Sequence, residues 1–219
     1  MAKTLIAIPC MDTMPIEFVS SLIDLNKPDG TKICFKANSL IYDSRNMLSI
    51  TAINGGFDRI LWLDSDMKFP YDALQRLNED MDAGRDFVSG LYFRRRGTFG
   101  PVIMSRVDPP HEENGIPVKS VTDCTEYPQD DIFRVEGCGF GICMTSVDLL
   151  KRVWDKFGPP FAPYAWAGED LSFCYRVKQL GVPVWCDTRI RAGHIGQFIF
   201  NEQTYLGLRK EGDQDETES

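Results

Sequence analysis

The chain predicts an α/β domain on a mainly parallel, Rossmann-like sheet, with antiparallel additions in its second half. Three observations lead there. Short apolar runs alternate with segments of helical spacing through the first ninety or so residues, glycine and proline punctuate the joints, and the run Ile60-Leu61-Trp62-Leu63 ends abruptly in Asp64-Ser65-Asp66. Buried parallel strands read as continuous apolar runs because helices cover both faces. A β-α-β-α-β order then implies one sheet with right-handed crossovers.

Thr4 to Ile8 reads as a strand broken by Pro9, and Ile16 to Leu25 as a helix that Pro15 is placed to start. Thr31 to Lys36 is a second short strand. Ser39 to Asn54 has the spacing of an amphipathic helix closed by Gly55-Gly56, and Arg59 to Leu63 is the third strand. Pro70 opens a helix running to about Ala83, Gly84 stops it, and Phe87 to Leu91 is the fourth strand. Beyond this point the pattern is less regular. Phe99 to Arg106 and Phe133 to Thr145 are expected as antiparallel strands, with the polar stretch from Asp108 to Asp130 between them as a surface loop or small hairpin. Val147 to Lys156 and Asp170 to Leu180 read as helices, and Val182 to Cys186 as a returning strand. No repeat or linker divides residues 1–208, which are expected to form one domain. Residues 209–219 are acidic, nearly without apolar side chains, and expected to lack fixed structure.

Composition narrows the function. With 219 residues, 43% hydrophobic and 26% charged, the chain is long enough for one sizeable core. A net charge of -8 and a pI of about 4.8 disfavour a polyanionic partner such as nucleic acid. The seven cysteines, Cys10, Cys34, Cys124, Cys138, Cys143, Cys174 and Cys186, are scattered and include no C-x-x-C pair. That pattern suggests small buried hydrophobes in a reducing cytosol, not a zinc site or a disulfide framework. The first residues lack a signal-peptide pattern, and no apolar stretch approaches membrane-spanning length. The expectation is a soluble cytoplasmic protein without a membrane span.

Asp64 and Asp66 follow a buried strand, and ligands of open α/β sheets gather beyond the carboxyl ends of such strands. In extended backbone, residues i and i+2 share a side, so the two carboxylates are expected to converge on a hard cation, Mn2+ or Mg2+, that could neutralise a diphosphate. A solvated acidic turn is the plain alternative. About a hundred residues later come Trp166-Ala167-Gly168-Glu169-Asp170 and, after a helix and a strand, Gly193-His194-Ile195-Gly196.

With these elements in place the chain, from about Lys3 to Gly196, resembles the GT-A glycosyltransferases, especially small bacterial and phage members similar to family two. The order is the family's: a strand ending in D-x-D, an arginine-rich segment after the next strand, a glycine-rich strand, G-E-D opening a helix, and a late histidine. The resemblance implies a metal held by the D-x-D against the diphosphate of a nucleotide sugar. Asp66 would be the direct ligand, and Asp64 would lie nearer the ribose or reach the metal through water. His194 matches the family's second protein ligand, and imidazole among oxygens favours Mn2+. A structural or surface histidine is the alternative. Asp170 matches the base that takes the acceptor's proton in inverting members, with Glu169 beside it on acceptor or sugar hydroxyls. Simple capping of a helix N-terminus would place the same two acids there.

Arg94, Arg95 and Arg96 are candidates for the diphosphate or an anionic acceptor, because guanidinium matches phosphate geometry; a solvated basic loop is the alternative. Arg45-Asn46 stands where relatives carry a similar pair near the nucleotide, although a helix-surface ion pair explains Arg45 as well. Gly137-Cys138-Gly139-Phe140-Gly141 lacks the Lys-Ser/Thr of a phosphate loop, and strand glycines of this kind mark close backbone approach, here to the sugar. Phe161, Tyr164 and Trp166 form an acceptor platform, a lid, or packing beneath a loop. At the nucleotide end, Pro9-Cys10-Met11-Asp12 matches the family poorly.

The reading is therefore a metal-dependent transferase, inverting, for which a UDP-sugar is favoured by family frequency alone. The acceptor, whether glycan, small molecule or modified nucleic acid base, is not legible. Its rivals are a phage-type transferase acting on DNA bases, a nucleotide-sugar-binding protein that has lost turnover, and a nucleotidyltransferase.

Overall fold

The computed structural model describes residues 2–95, 99–108, 111–118, 121–164 and 167–196. Arg96, Trp166 and the acidic tail lie outside the described residues. The elements are β1 (Thr4–Cys10), α1 (Ile16–Asp24), β2 (Lys32–Ala37), α2 (Ile41–Asn54), β3 (Arg59–Leu63), β4 (Met67–Lys68), α3 (Ala73–Asp82) and β5 (Phe87–Leu91), followed by β6 (Ile103–Val107), β7 (His111–Glu113), β8 (Ile116–Val118), β9 (Val121–Asp123), β10 (Ile132–Val135), β11 (Gly137–Cys138) and β12 (Ile142–Ser146), and then α4 (Val147–Phe157), α5 (Glu169–Gln179), β13 (Val184–Arg191) and β14 (Gly193–His194).

The central sheet has seven strands in the order β10-β13-β5-β12-β3-β1-β2. β2, β1 and β3 are mutually parallel, β5 and β13 are parallel to each other, and β12 runs antiparallel to β3 and β5 between them. Five of the seven strands thus point one way, with β12 and β10 reversed.

Alternation along the strands divides the core in two. Leu5, Ala7, Ile60 and Trp62 face one side, where Leu48 and Ala52 of α2, Leu150 and Val153 of α4 and Phe173 and Val177 of α5 cover them. Ile6, Ile8, Leu61 and Leu63 face the other, beneath Phe18 and Leu22 of α1 and Leu74, Leu77 and Met81 of α3. Apolar residues three and four apart give each helix one buried stripe, and period-two strands supply both surfaces. The result is a mixed α/β domain with helices on both faces of the sheet.

The first-half strands and helices lie close to their expected bounds; the second half departs from them. The expected strand from Phe133 to Thr145 is three strands in two sheets: β10 and β12 belong to the central sheet, whereas β11 pairs with β6 in a small sheet completed by β9. Glycines at 137, 139 and 141 let the chain cross between the sheets. Part of the polar insert forms the β7-β8 hairpin, which turns at Asn114 and Gly115 with φ of 53° and 75°, as a two-residue hairpin loop demands. The seven cysteines are free thiols, four of them buried. Among the described residues no helix is long and apolar enough to cross a membrane.

Candidate active site

The acidic motif leaves the sheet at the end of β3. Residues 64–66 form a turn, not extended backbone, so the expected same-side projection of the two carboxylates does not operate. The Asp64 amide donates to Gly141 O at 3.0 Å and the Met67 amide to Asp64 O at 3.2 Å. Asp64 then turns toward the interior and Asp66 toward the late histidine.

Asp64 Oδ1 accepts from Arg45 Nη2 at 2.8 Å, and the same guanidinium reaches Glu169 through Nε at 3.5 Å while lying over the Phe140 ring at 5.0 Å. Arg45 is only 2% exposed, which removes the helix-surface alternative. It bridges the strand-end acid and the G-E-D acid. Burial pushes the Asp64 carboxyl up to about 6, against the pull of Arg45, with Asp66, Glu169 and Asp170 adding repulsion. Burial raises Glu169 too, again opposed by Arg45. The neighbouring Asn46 accepts from the Phe161 amide at 2.9 Å and so anchors the loop that leads to α5.

Asp66 meets His194. β14 pairs with β4 so that His194 lies opposite Met67, and the Ile195 amide donates to Asp66 O at 2.7 Å. His194 Nδ1 lies 3.1 Å from Phe93 O, which can only accept, so Nδ1 carries the proton. In the neutral ring Nε2 then presents a lone pair to Asp66 Oδ2 at 3.4 Å. Two electron-pair donors facing each other fit a divalent cation between them. Among the described residues no group of three or more His, Cys, Asp or Glu is arranged to hold a metal, so Asp66 and His194 would serve as a pair and other ligands would come from water or substrate.

Glu169 and Asp170 open α5 after Gly168. Asp170 Oδ1 accepts from the Leu171 amide at 2.7 Å, so one oxygen is engaged locally at the helix end. Of the arginines, Arg94 makes a two-pronged contact with Asp123 of β9, both bonds 2.6 Å, which ties it to the insert. Arg95 Nη1 donates to Asp66 Oδ2 at 2.6 Å and to Ile195 O at 2.8 Å. A cleft of about 240 Å³ adjoins the turn, lined by Pro9, Cys10, Met11, Ser39, Ser44 and the D-x-D residues, among others. The first strand-to-loop junction thus borders the site despite its poor match.

The glycine-rich segment approaches a side chain closely. A Cβ on Gly139 would stand 2.1 Å from the Tyr92 hydroxyl, and one on Gly141 2.8 Å from the Tyr92 ring. The buried Tyr92 hydroxyl accepts from the Gly141 amide at 3.1 Å, and its ring meets His194 edge-on at 5.8 Å. Nothing in the sequence singles out Tyr92, whose importance arises from contacts distant along the chain. Phe161 is fully buried, stacked on Phe173 at 4.8 Å, so it packs beneath the loop; Tyr164 stays exposed against Tyr175.

No family model and no curated protein matches this sequence. Solved structures do match in fold. A197 from STIV aligns with a TM-score of 0.61 at 18% identity, over 89% of this chain and 86% of that one. GalNAc-T7, crystallised with UDP, GalNAc and Mn2+, aligns with a TM-score of 0.59 at 12% identity, over 90% of this chain but 44% of its own length. At such identities the likeness is one of architecture, and the chain has a GT-A-like fold.

Proposed function

We propose that this chain is a metal-dependent glycosyltransferase that moves a sugar from a nucleotide diphosphate sugar, UDP-sugar foremost, to an acceptor hydroxyl with inversion, in the manner of the family-two-like members its motifs resemble. The Asp66–His194 contact carries the proposal, because a carboxylate oxygen and the nitrogen of a neutral imidazole, 3.4 Å apart, are the donor types that a divalent cation takes. The GT-A-like fold supports it, and so does GalNAc-T7, a structural neighbour crystallised with UDP and Mn2+.

In this reading Asp66 and His194 hold the ion, and the cleft lined by Cys10, Ser39 and Ser44 takes the nucleoside. A bound Mn2+ or Mg2+ would supply charge neutralisation for the departing diphosphate. Arg45 fixes Asp64 and Glu169 at the two sides of the reacting space. Asp170 takes the acceptor proton on Oδ2, since Oδ1 is engaged by the Leu171 amide. Arg95 serves the diphosphate, and Arg94 holds the insert in place through Asp123.

Calorimetry with UDP and GDP tests the metal bridge. EDTA or Asp66→Ala should weaken nucleotide binding at least about tenfold, or about 1.4 kcal/mol, because the carboxylates would then repel the diphosphate. Affinity unchanged in EDTA would reject this function.

A further inference from the structure

One cation already stands at the metal corner. Arg95 Nη1 lies 2.6 Å from Asp66 Oδ2, the same oxygen that faces His194 Nε2 at 3.4 Å, and its second bond, to Ile195 O at 2.8 Å, closes a ring through the Ile195 amide back to Asp66 O. Gly196 lies against the arginine stem: a Cβ there would lie in ordinary contact, 3.4 Å from Arg95 Cδ. Arg94 beside it is committed to Asp123, but Arg95 is 42% exposed along its side chain and, among the described residues, no other carboxylate contact holds it in place.

We propose that Arg95 is a displaceable resident cation: it occupies the Asp66–His194 corner while no metal is bound, is released from Asp66 when a divalent ion enters, and is then free to meet the diphosphate that arrives with the ion. The inference rests on the metal reading above and adds an order of events. The physical ground is competition for one set of lone pairs. Asp66 Oδ2 cannot give one lone pair to a guanidinium and to a metal at once, so an ion that takes the lone pair facing His194 competes with the Arg95 contact. A site whose competent form is only a fraction of the population binds with an affinity reduced by that fraction. An exposed ion pair biases such an equilibrium only several-fold, which makes the arginine a placeholder that a divalent ion can displace.

Mn2+ binding followed by electron paramagnetic resonance of the free ion, without nucleotide, tests this directly. Arg95→Gln should bind Mn2+ about threefold to fivefold more tightly than the wild type, and Arg95→Lys, which keeps a charge, should fall between them. With UDP present the order should invert, because the glutamine variant lacks the guanidinium that meets the diphosphate. Mn2+ binding that is equal or weaker in Arg95→Gln, at unchanged thermal stability, would overturn the role of Arg95 while leaving the metal reading intact. Absence of Mn2+ binding by both proteins would overturn the two together.

Discussion

Arg45 is where the two acidic motifs meet. Its side chain is 3% exposed, against 31% for Asp64 and 16% for Glu169, so the cation is the deeply buried member, and its partner Asp64 reaches the lining of the cleft. Removing one partner of a buried pair leaves uncompensated charge, here two carboxylates facing each other, and costs on the order of 3–5 kcal/mol. Arg45→Met, which keeps length but not charge, should lose about 3 kcal/mol in urea denaturation, the lower end because Asp64 is partly hydrated. A loss below about 1 kcal/mol would mean that the bridge is no more than a surface pair. Asp170 belongs to the same scale but has a different signature. Asp170→Asn retains size and an oxygen for the Leu171 amide while losing basicity. Donor binding should survive as sugar transfer falls by roughly 100-fold, with inverted anomeric configuration in the wild-type product by proton NMR. Near-normal transfer would remove Asp170 from the mechanism.

At the scale of elements, the glycine-rich crossing between β11 and β12 serves Tyr92 at the end of β5. Tyr92 packs into the space that side chains at 139 and 141 would fill, receives the Gly141 amide, and backs the His194 ring. Gly141 in turn receives the Asp64 amide, so one aromatic residue supports both the acidic turn and the histidine. Gly139→Ala should destabilise the fold by about 1–3 kcal/mol, as overpacking of a dense core does. The Tyr92 hydroxyl is the nearest obstacle, with Val102 Cγ1 next at 2.7 Å, so the loss should shrink in a Tyr92→Phe background. A double-mutant cycle with coupling of at least about 0.5 kcal/mol is expected, and strict additivity would contradict this account of the crossing.

For the whole molecule, a second buried charge cluster away from the site governs stability against pH. Asp80 of α3 and Asp187 of β13 are 4% and 0% exposed, with Arg189 bonded to both. Burial above all, then repulsion from Asp187, pushes the Asp80 carboxyl up to about 7, against the pull of Arg189 and Arg85. An unfolded aspartate titrates near 3.9, so between about pH 4 and 7 the folded chain keeps a proton that the unfolded chain has released. This contribution is complete below about pH 4 and disappears as pH rises through 7. Asp80→Asn imitates the protonated acid. Its melting temperature should match the wild type below about pH 4 and exceed it by a margin that grows up to about pH 7, and a difference that stays flat across that range would dismiss the raised Asp80 acid.

Local patterns determined much of this protein. The parallel first half was legible because a strand buried on both faces must be apolar throughout and a covering helix must carry one apolar stripe. Asp64, Asp66, Glu169, Asp170 and His194 stood out because charge or imidazole at the end of an apolar element is conspicuous. What only the tertiary structure decided depends on partners distant in sequence. The insertion of β12 between β3 and β5 cannot be read from residues 142–146, since a strand buried on both sides has the same composition in either direction. Arg45 read equally as a nucleotide-site residue and as a helix-surface ion pair, because periodicity does not report the two acids that make its burial tolerable. The divergence of Asp64 and Asp66 followed from a turn that the β4-β14 pairing holds, and the glycines at 139 and 141 from a tyrosine nearly fifty residues earlier. Sequence records what each segment must bury; which charges and rings meet across the sheet ends is decided when the packed elements bring them within a few ångströms.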